Sequence, residues 1–196
     1  MDISKSEIER LLLNLGVLKK GHFILTSKRH SSFYFEKFRI LEQPHYASLF
    51  AQIMVSKLKT NLKVMPDLIC GPATGGMILA FEVARILQLP CIYLEKKDGL
   101  FALLRGMNIN PGQKVVIVDD VLTTGKSLYL AKQVINEKQG IIQGQVVLID
   151  RRTKADQDVI SVYKAAGEDY SEDKCPMCKQ KIPLTDPKTG KIIKRS

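Results

Sequence analysis

The 196-residue sequence predicts an α/β domain with a central parallel sheet flanked by helices, and three observations carry that reading. Several short segments, among them DLICG, KVVIVD and GQVVLID, are apolar along almost their whole length, as strands buried on both faces are. Amphipathic stretches of helical length separate them, the alternation that winds a chain into parallel order. Glycine-rich and hydroxyl-rich turns follow the carboxyl ends of those strands, where open α/β sheets bind ligands.

Taken in order, Ile8, Leu11, Leu12 and Leu15 recur at helical spacing up to Gly16, a plausible stop. GHFILTS and FYFEKF then read as two short strands around the polar turn SKRHSS. From Pro44 the alternation is regular: a helix through about Lys59, the strand DLICG, a helix from Gly76 to Leu87, the strand PCIYLE and a long loop. The strand KVVIVD, a helix from Lys126 to Lys138 and the strand GQVVLID complete it. The expected organisation is an N-terminal element over 1–43, an α/β core over 44–152 and a C-terminal segment over 153–196, all in one domain.

The formal charge of +10 is unevenly spread. From position 174 onward seven basic residues, Lys194 and Arg195 among them, face one acid, Asp186, so the tail alone carries +6. No helix-turn-helix or aromatic RNA-binding signature accompanies it, so a solvated basic tail is the reading and nucleic acid is not an expected partner. No apolar run reaches the roughly 18 residues needed to cross a bilayer. MDISKSEIERLLLNLG lacks the basic start and apolar stretch of a signal peptide, which points to the cytoplasm.

Four cysteines are too few for a disulfide framework. Cys70 and Cys91 lie in strand-like apolar contexts, leaving Cys175 and Cys178. Cys175-Pro-Met-Cys178 has the spacing of half a zinc site, and no further thiol or imidazole follows nearby in sequence. A reduced metal-free tail, zinc completed by distant ligands or shared across a dimer, and a redox pair all stay open. His22, His30 and His45, the only histidines, are read as structural or surface residues and not as catalysts.

Two strand ends carry the densest chemistry. In CGPATGGMILA, Gly71, Gly75 and Gly76 bracket a strand-to-helix turn where backbone can approach a ligand and helix N–H groups lie free. The turn lacks the Lys-Ser/Thr of a Walker loop and the full dinucleotide fingerprint. In VVIVDDVLTTGKSL, Asp119 and Asp120 leave a buried strand and a run of hydroxyls and a glycine opens the next helix. That opening suits a phosphate. Two carboxylates repel a phosphate, and neighbours on an extended chain point to opposite faces, so the pair suits a ribose diol or its metal-bound neighbour. The bland alternative makes one Asp a helix cap and the other a surface charge.

The run from Val115 to Ser127 resembles, at every position, the signature of type I phosphoribosyltransferases, which bind 5-phosphoribosyl-1-diphosphate (PRPP). The resemblance implies that family's fold, with a small N-terminal hood over the sheet and a C-terminal tail. It makes Asp119 and Asp120 ribose ligands and gives Val121, Leu122, Thr123, Thr124, Gly125, Lys126 and Ser127 to the PRPP site, the last five as phosphate cradle. Ala73, Thr74, Gly75 and Gly76 fall where the family contacts the pyrophosphate.

GHFILTSKRHSSFYFEKF is similar to the N-terminal segment of orotate phosphoribosyltransferases, and GQVVLIDRR places Arg151 where those enzymes carry a base-contacting arginine. A planar guanidinium suits the carboxylate and ring oxygens of orotate. The orotate set implied is Thr26, Phe33, Tyr34, Thr123 and Arg151. KCPMCKQKIPL resembles the ending of a shorter bacterial and archaeal subgroup.

Departures from longer-loop members are visible: Ser27-Lys28 replaces Ser-Gly, Thr26 replaces a lysine, and LEKKDGLFALLRGMNINPG has no histidine. Lys96 and Lys97 are the remaining basic candidates for assisting pyrophosphate departure, counted with Asp119 and Asp120 as catalytic. The resemblance further implies Mg2+ carried with PRPP, no metal bound by the chain at that site, and a homodimer in which a loop lysine serves the neighbouring site. Two rivals are transfer to another base and a PRPP-sensing regulator without transferase activity.

Overall fold

A computed structural model describes residues 3–152, 158–165 and 169–193; Lys194 and Arg195 of the basic tail lie outside them. The chain opens with helix α1 (Lys5–Asn14), whose Ser4 and Glu7 form a reciprocal capping box. Strands β1 (Leu18–Ile24) and β2 (His30–Phe35) follow as an antiparallel hairpin. Beyond the short helix α2 (Phe38–Leu41), α3 (Pro44–Asn61) begins with proline at its first position, where the missing N–H costs no hydrogen bond.

The core alternates as expected: β3 (Leu68–Pro72), α4 (Gly75–Leu87), β4 (Cys91–Lys97), β5 (Leu100–Ala102), β6 (Lys114–Leu122), α5 (Lys126–Glu137) and β7 (Ile141–Asp150). β8 (Val159–Lys164) extends the sheet, whose order is β5-β4-β3-β6-β7-β8, parallel except at the β4–β5 edge hairpin.

Alternation along β6 divides the core. Val116 and Val118 join α1, α3 and α4 on one face, while Val115 and Ile117 pack with α5 on the other. With both faces covered, the Val115–Val118 run of β6 can be apolar throughout, and the strand lies in the middle of the sheet between β3 and β7.

Two expectations change. The signature strand runs on through Leu122, so Asp119 and Asp120 belong to β6 and do not leave it; their backbone stays laddered to β7, with Asp119 opposite Val147 and Leu122 opposite Asp150. The long loop after β4 folds partly into β5, because Asp98 and Gly99 take the positive φ of a tight turn.

The described residues of the C-terminal segment after β8 return to the hood. β9 (Asp169–Tyr170) pairs with β2 to make a three-stranded sheet. A single 3₁₀ turn over 172–174 leads into α6 (Pro176–Lys179). Thr185 then lies along the free edge of β1, donating to the His22 carbonyl at 2.8 Å and accepting from the Ile24 amide at 3.2 Å.

Candidate active site at the carboxyl ends of β3, β6 and β7

Two strand ends anticipated from sequence converge on one point, the first turn of α4. A Cβ on Gly75 would lie 1.7 Å from Asp120 Oδ2, and one on Gly76 would lie 3.0 Å from Asp119 Oδ1. Gly75 is therefore required by the Asp120 carboxylate, whereas Gly76 is crowded equally by Asp119 Oδ1, Pro72 Cδ and the Val118 carbonyl. Although neighbours on a strand start toward opposite faces, both of these reach the same helix N-terminus, a correction to the divergent geometry expected.

The pair is buried, Asp119 at 6% and Asp120 at 5% exposure. The Asp120 amide donates to Asp119 Oδ1 at 2.8 Å and the Val121 amide to Asp120 Oδ1 at 2.5 Å. Asp120 Oδ2 accepts no geometrically formed hydrogen bond, yet Lys37 Nζ stands 2.5 Å from it as an ion pair. The ion pair is the better description of that oxygen, since distance alone makes the Coulomb term favourable. Burial first, and the Asp120 charge second, push the Asp119 carboxyl up to about 6, against hydrogen bonds from the Asp120 amide and Ser127.

The phosphate cradle expected after β6 is a bend over Thr123 and Thr124, with Gly125 at φ 81° capping α5. A left-handed φ there favours glycine. Lys126 N–H meets Thr124 Oγ1 at only 3.4 Å, and a helix start leaves several N–H donors facing outward. The Leu122 side chain belongs to the core beneath α5 and also reaches the Gly125 position from below, while Val121 packs against the core beneath α3 and α4. Ala73 and Thr74 form the turn before α4 and are joined by a cis peptide; no side chain caps the helix.

Beside the cradle opens a cavity of about 620 Å³ lined by hood, core and tail: Thr26, Tyr34, Thr123, Arg151, Asp169 and Lys188 are among its walls. Thr26, Tyr34, Thr123, Thr124 and Arg151 thus come together as the sequence implied. Phe33 does not; it alternates to the other side of β2 and packs against the core. Arg151 Nη2 pairs with Asp169 Oδ1 at 2.9 Å, and the guanidinium lies 5.9 Å from the Phe35 ring centroid. A guanidinium has five donors, so this anchor orients it and leaves others for a ligand. The neighbouring Arg152 is a different case, locked in a fork onto buried Asp150 at 3.0 Å.

Lys96 and Lys97 are exposed on the β4–β5 hairpin, and among the described residues no contact joins them to the Asp pair. Behind them Arg105 pairs with Glu95 at 2.8 Å. Sequence reasoning missed Lys37 and Asp169, because neither belongs to a contiguous motif and each is defined by its partner in space.

A family model described as phosphoribosyl transferase domain matches residues 39–173. The chain is 35% identical over 193 residues to orotate phosphoribosyltransferase of Thermoanaerobacter sp. (strain X514), covering 97% of this chain and all of that protein. The same-named protein of Pelotomaculum thermopropionicum is 34% identical over the same share. The crystal structure of orotate phosphoribosyltransferase from Aeropyrum pernix superposes with a TM-score of 0.69 at 26% identity, covering 80% of this chain and 93% of that one. No helix among the described residues is long and apolar enough to cross a membrane.

Proposed function

The chain belongs to the phosphoribosyl transferase family and, within it, to the orotate phosphoribosyltransferases, and on that premise we propose that it transfers the phosphoribosyl group of PRPP to orotate. The products are orotidine 5′-phosphate and pyrophosphate, a step of pyrimidine nucleotide synthesis. The observation that carries the reading is that the β6 carboxylates meet the α4 start, while Thr123 and Thr124, the next residues but two along the chain, line the cavity that holds Arg151.

Each group has a task. The Thr123–Ser127 cradle takes the 5-phosphate with hydroxyls and the outward N–H groups of α5. Asp119 and Asp120 accept from the ribose hydroxyls, and their negative field favours the positive charge that develops on the ribose as pyrophosphate leaves. The Gly75–Gly76 helix start and Lys37 face the leaving pyrophosphate, with Lys37 released from Asp120 when a more highly charged anion arrives. Lys96 and Lys97 sit on an exposed hairpin of the kind that reaches over a neighbouring site.

Mg2+ fits this arrangement, since two buried carboxylates, one with an oxygen held only by an ammonium, are hard oxygen donors. Asp119 and Asp120 would hold it beside PRPP, where it would supply positive charge against the leaving group. Arg151, steadied by Asp169, meets the orotate carboxylate, while Tyr34 and Thr26 close the cavity around the ring.

Dimerisation belongs to the same reading. An apolar groove of about 420 Å³ along α4, between Leu41, Met77, Ile78 and Tyr93, runs beside a 61% exposed Phe81. Such a face supports a second copy as its cover, and light scattering expects twice the chain mass. The cytoplasm is the expected compartment.

The reading is tested by incubating the protein with PRPP, Mg2+ and orotate and identifying the product by mass spectrometry. Orotidine 5′-phosphate is expected. Tight PRPP binding with no product from orotate, uracil, adenine or hypoxanthine would instead make the chain a PRPP-binding regulator.

A further inference from the structure

We propose that the chain holds a structural zinc ion on His22, His30, Cys175 and Cys178, tying the hood to the C-terminal segment. The cysteines lie more than 140 residues beyond the histidines, yet the ligand atoms of all four fall within 4.8 Å of one another. His22 Nε2 lies 3.0 Å from His30 Nδ1, 3.5 Å from Cys175 Sγ and 3.7 Å from Cys178 Sγ, and His30 Nδ1 lies 3.1 Å from Cys178 Sγ. A tetrahedral zinc with Zn–N of about 2.0–2.1 Å and Zn–S of about 2.3 Å sets its ligands about 3.3–3.8 Å apart. Two of the four distances fall in that range and two lie 0.2–0.3 Å below it, and no pair exceeds 4.8 Å, so small side-chain adjustments bring the four atoms to a tetrahedron.

The hydrogen bonding of His22 selects the ligating atom. Its Nδ1 lies 2.8 Å from the Ile182 carbonyl, which can only accept, so the proton is on Nδ1 and Nε2 carries a lone pair. That lone pair points at His30 and the two sulfurs. Fixing the second ring nitrogen on a backbone carbonyl is how zinc-binding imidazoles are oriented. The Ile182 carbonyl belongs to the same C-terminal segment as the cysteines, so ligand and orienting group arrive together.

Charge and burial agree. His22, His30 and Cys175 are buried and Cys178 is half-buried. Two thiolates, two neutral imidazoles and a divalent cation sum to zero, whereas thiolates without a metal would carry uncompensated charge out of water. Among N and S ligands in this ratio, tetrahedral zinc is the common occupant. No disulfide joins the two cysteines.

The placement gives the ion a task. His22 lies two residues before the end of β1 and His30 begins β2, on either side of the turn that carries Thr26, Ser27 and Lys28 to the cavity. The cysteines flank the start of α6, which leads to Asp186 and Lys188 on the opposite wall. Zinc therefore pins two walls of the cavity that share little apolar core. The metal assignment rests on the four ligands alone, and only its consequence for orotate rests on the reading of the cavity.

The test is elemental analysis of the full chain, purified without chelator and free of any affinity tag, followed by exchange with Co2+. One zinc per chain is expected. The cobalt form should show the visible d–d bands of a tetrahedral centre together with near-ultraviolet thiolate charge transfer. Cys178→Ser and His30→Ala should lose the metal and the bands. If those variants do not fold, the wild-type cobalt spectrum alone decides. Wild-type protein without stoichiometric zinc and without tetrahedral cobalt bands, or carrying a Cys175–Cys178 disulfide when purified anaerobically, would overturn the proposal. So would full zinc retention in a folded Cys178→Ser variant.

Discussion

The end of β6 and the hood face each other across one cavity, but they are assembled by opposite means. At β6 the groups that would meet the ribose and 5-phosphate of PRPP come from thirteen consecutive residues, Val115 to Ser127, with the α4 glycines beside their carboxylates. The hood is assembled from segments far apart in the chain. Its turn is bounded by His22 and His30, its far wall comes from Asp186 and Lys188, and Asp169 steadies Arg151. The first region draws its precision from a buried central strand and a helix start, the second from cross-links between peripheral segments. A contiguous site survives loosening of the periphery, whereas an assembled one depends on whatever holds its pieces together.

The largest expected effect lies in the contiguous half. Asp120→Asn keeps the shape of the site and removes the charge paired with Lys37, and a fall in kcat/KM on the order of 10²–10³-fold is expected. Circular dichroism should show the fold intact. Activity within a few-fold of wild type would break the assignment of the pair to the ribose.

Metal removal probes the assembled half. With free zinc about 100-fold above its dissociation constant, the ion contributes about 2.7 kcal/mol, or roughly 5–11 °C of melting temperature for a domain of this size. Chelation should lower the melting temperature by that amount and raise the KM for orotate more than the KM for PRPP. Thiol labelling checks the source: burial pushes Cys70 up to about 12 and Cys91 up to about 11, so the thiols that become reactive on chelation should be Cys175 and Cys178.

A comparable effect is a pH signature of β6. The folded carboxyl of Asp119 sits near 6, against an ordinary 3.8. The native state therefore holds its proton more tightly than the unfolded chain, and the associated stability, present below pH 3.8, is lost as pH rises through about 6. Asp119→Asn should remove that slope and leave the protein more stable than wild type above pH 6, by up to about 3 kcal/mol, while transfer is lost. Urea denaturation at pH 4, 6 and 8 measures it. A variant no more stable than wild type at pH 8 would show that the burial of this charge is compensated.

Legibility from sequence follows the same division. The alternating core was readable because each strand is apolar and each helix periodic, and the β6 motif because its residues are adjacent. Two refinements came only with the structure. β6 carries its carboxylates inside the strand, and Gly75 is small because of Asp120. The hood was half legible. Thr26, Tyr34 and Arg151 line the cavity as their places in the N-terminal segment and after β7 imply, whereas the period-two alternation of β2 turns Phe33 to the core. Lys37, Asp169 and the two histidine partners of Cys175 and Cys178 carry no local signal; a lone histidine in a strand reads as structural until the distant cysteines are seen beside it.

The central claim is a division of one reaction between these regions, with β6 holding PRPP and the hood side reading the base. Arg151→Lys tests it most directly, because lysine keeps the charge but loses the planar fork that suits a carboxylate. Steady-state kinetics should show the KM for orotate raised about tenfold, equivalent to about 1.4 kcal/mol, with the KM for PRPP unchanged. Equal increases in both constants, or an increase for PRPP alone, would contradict the account.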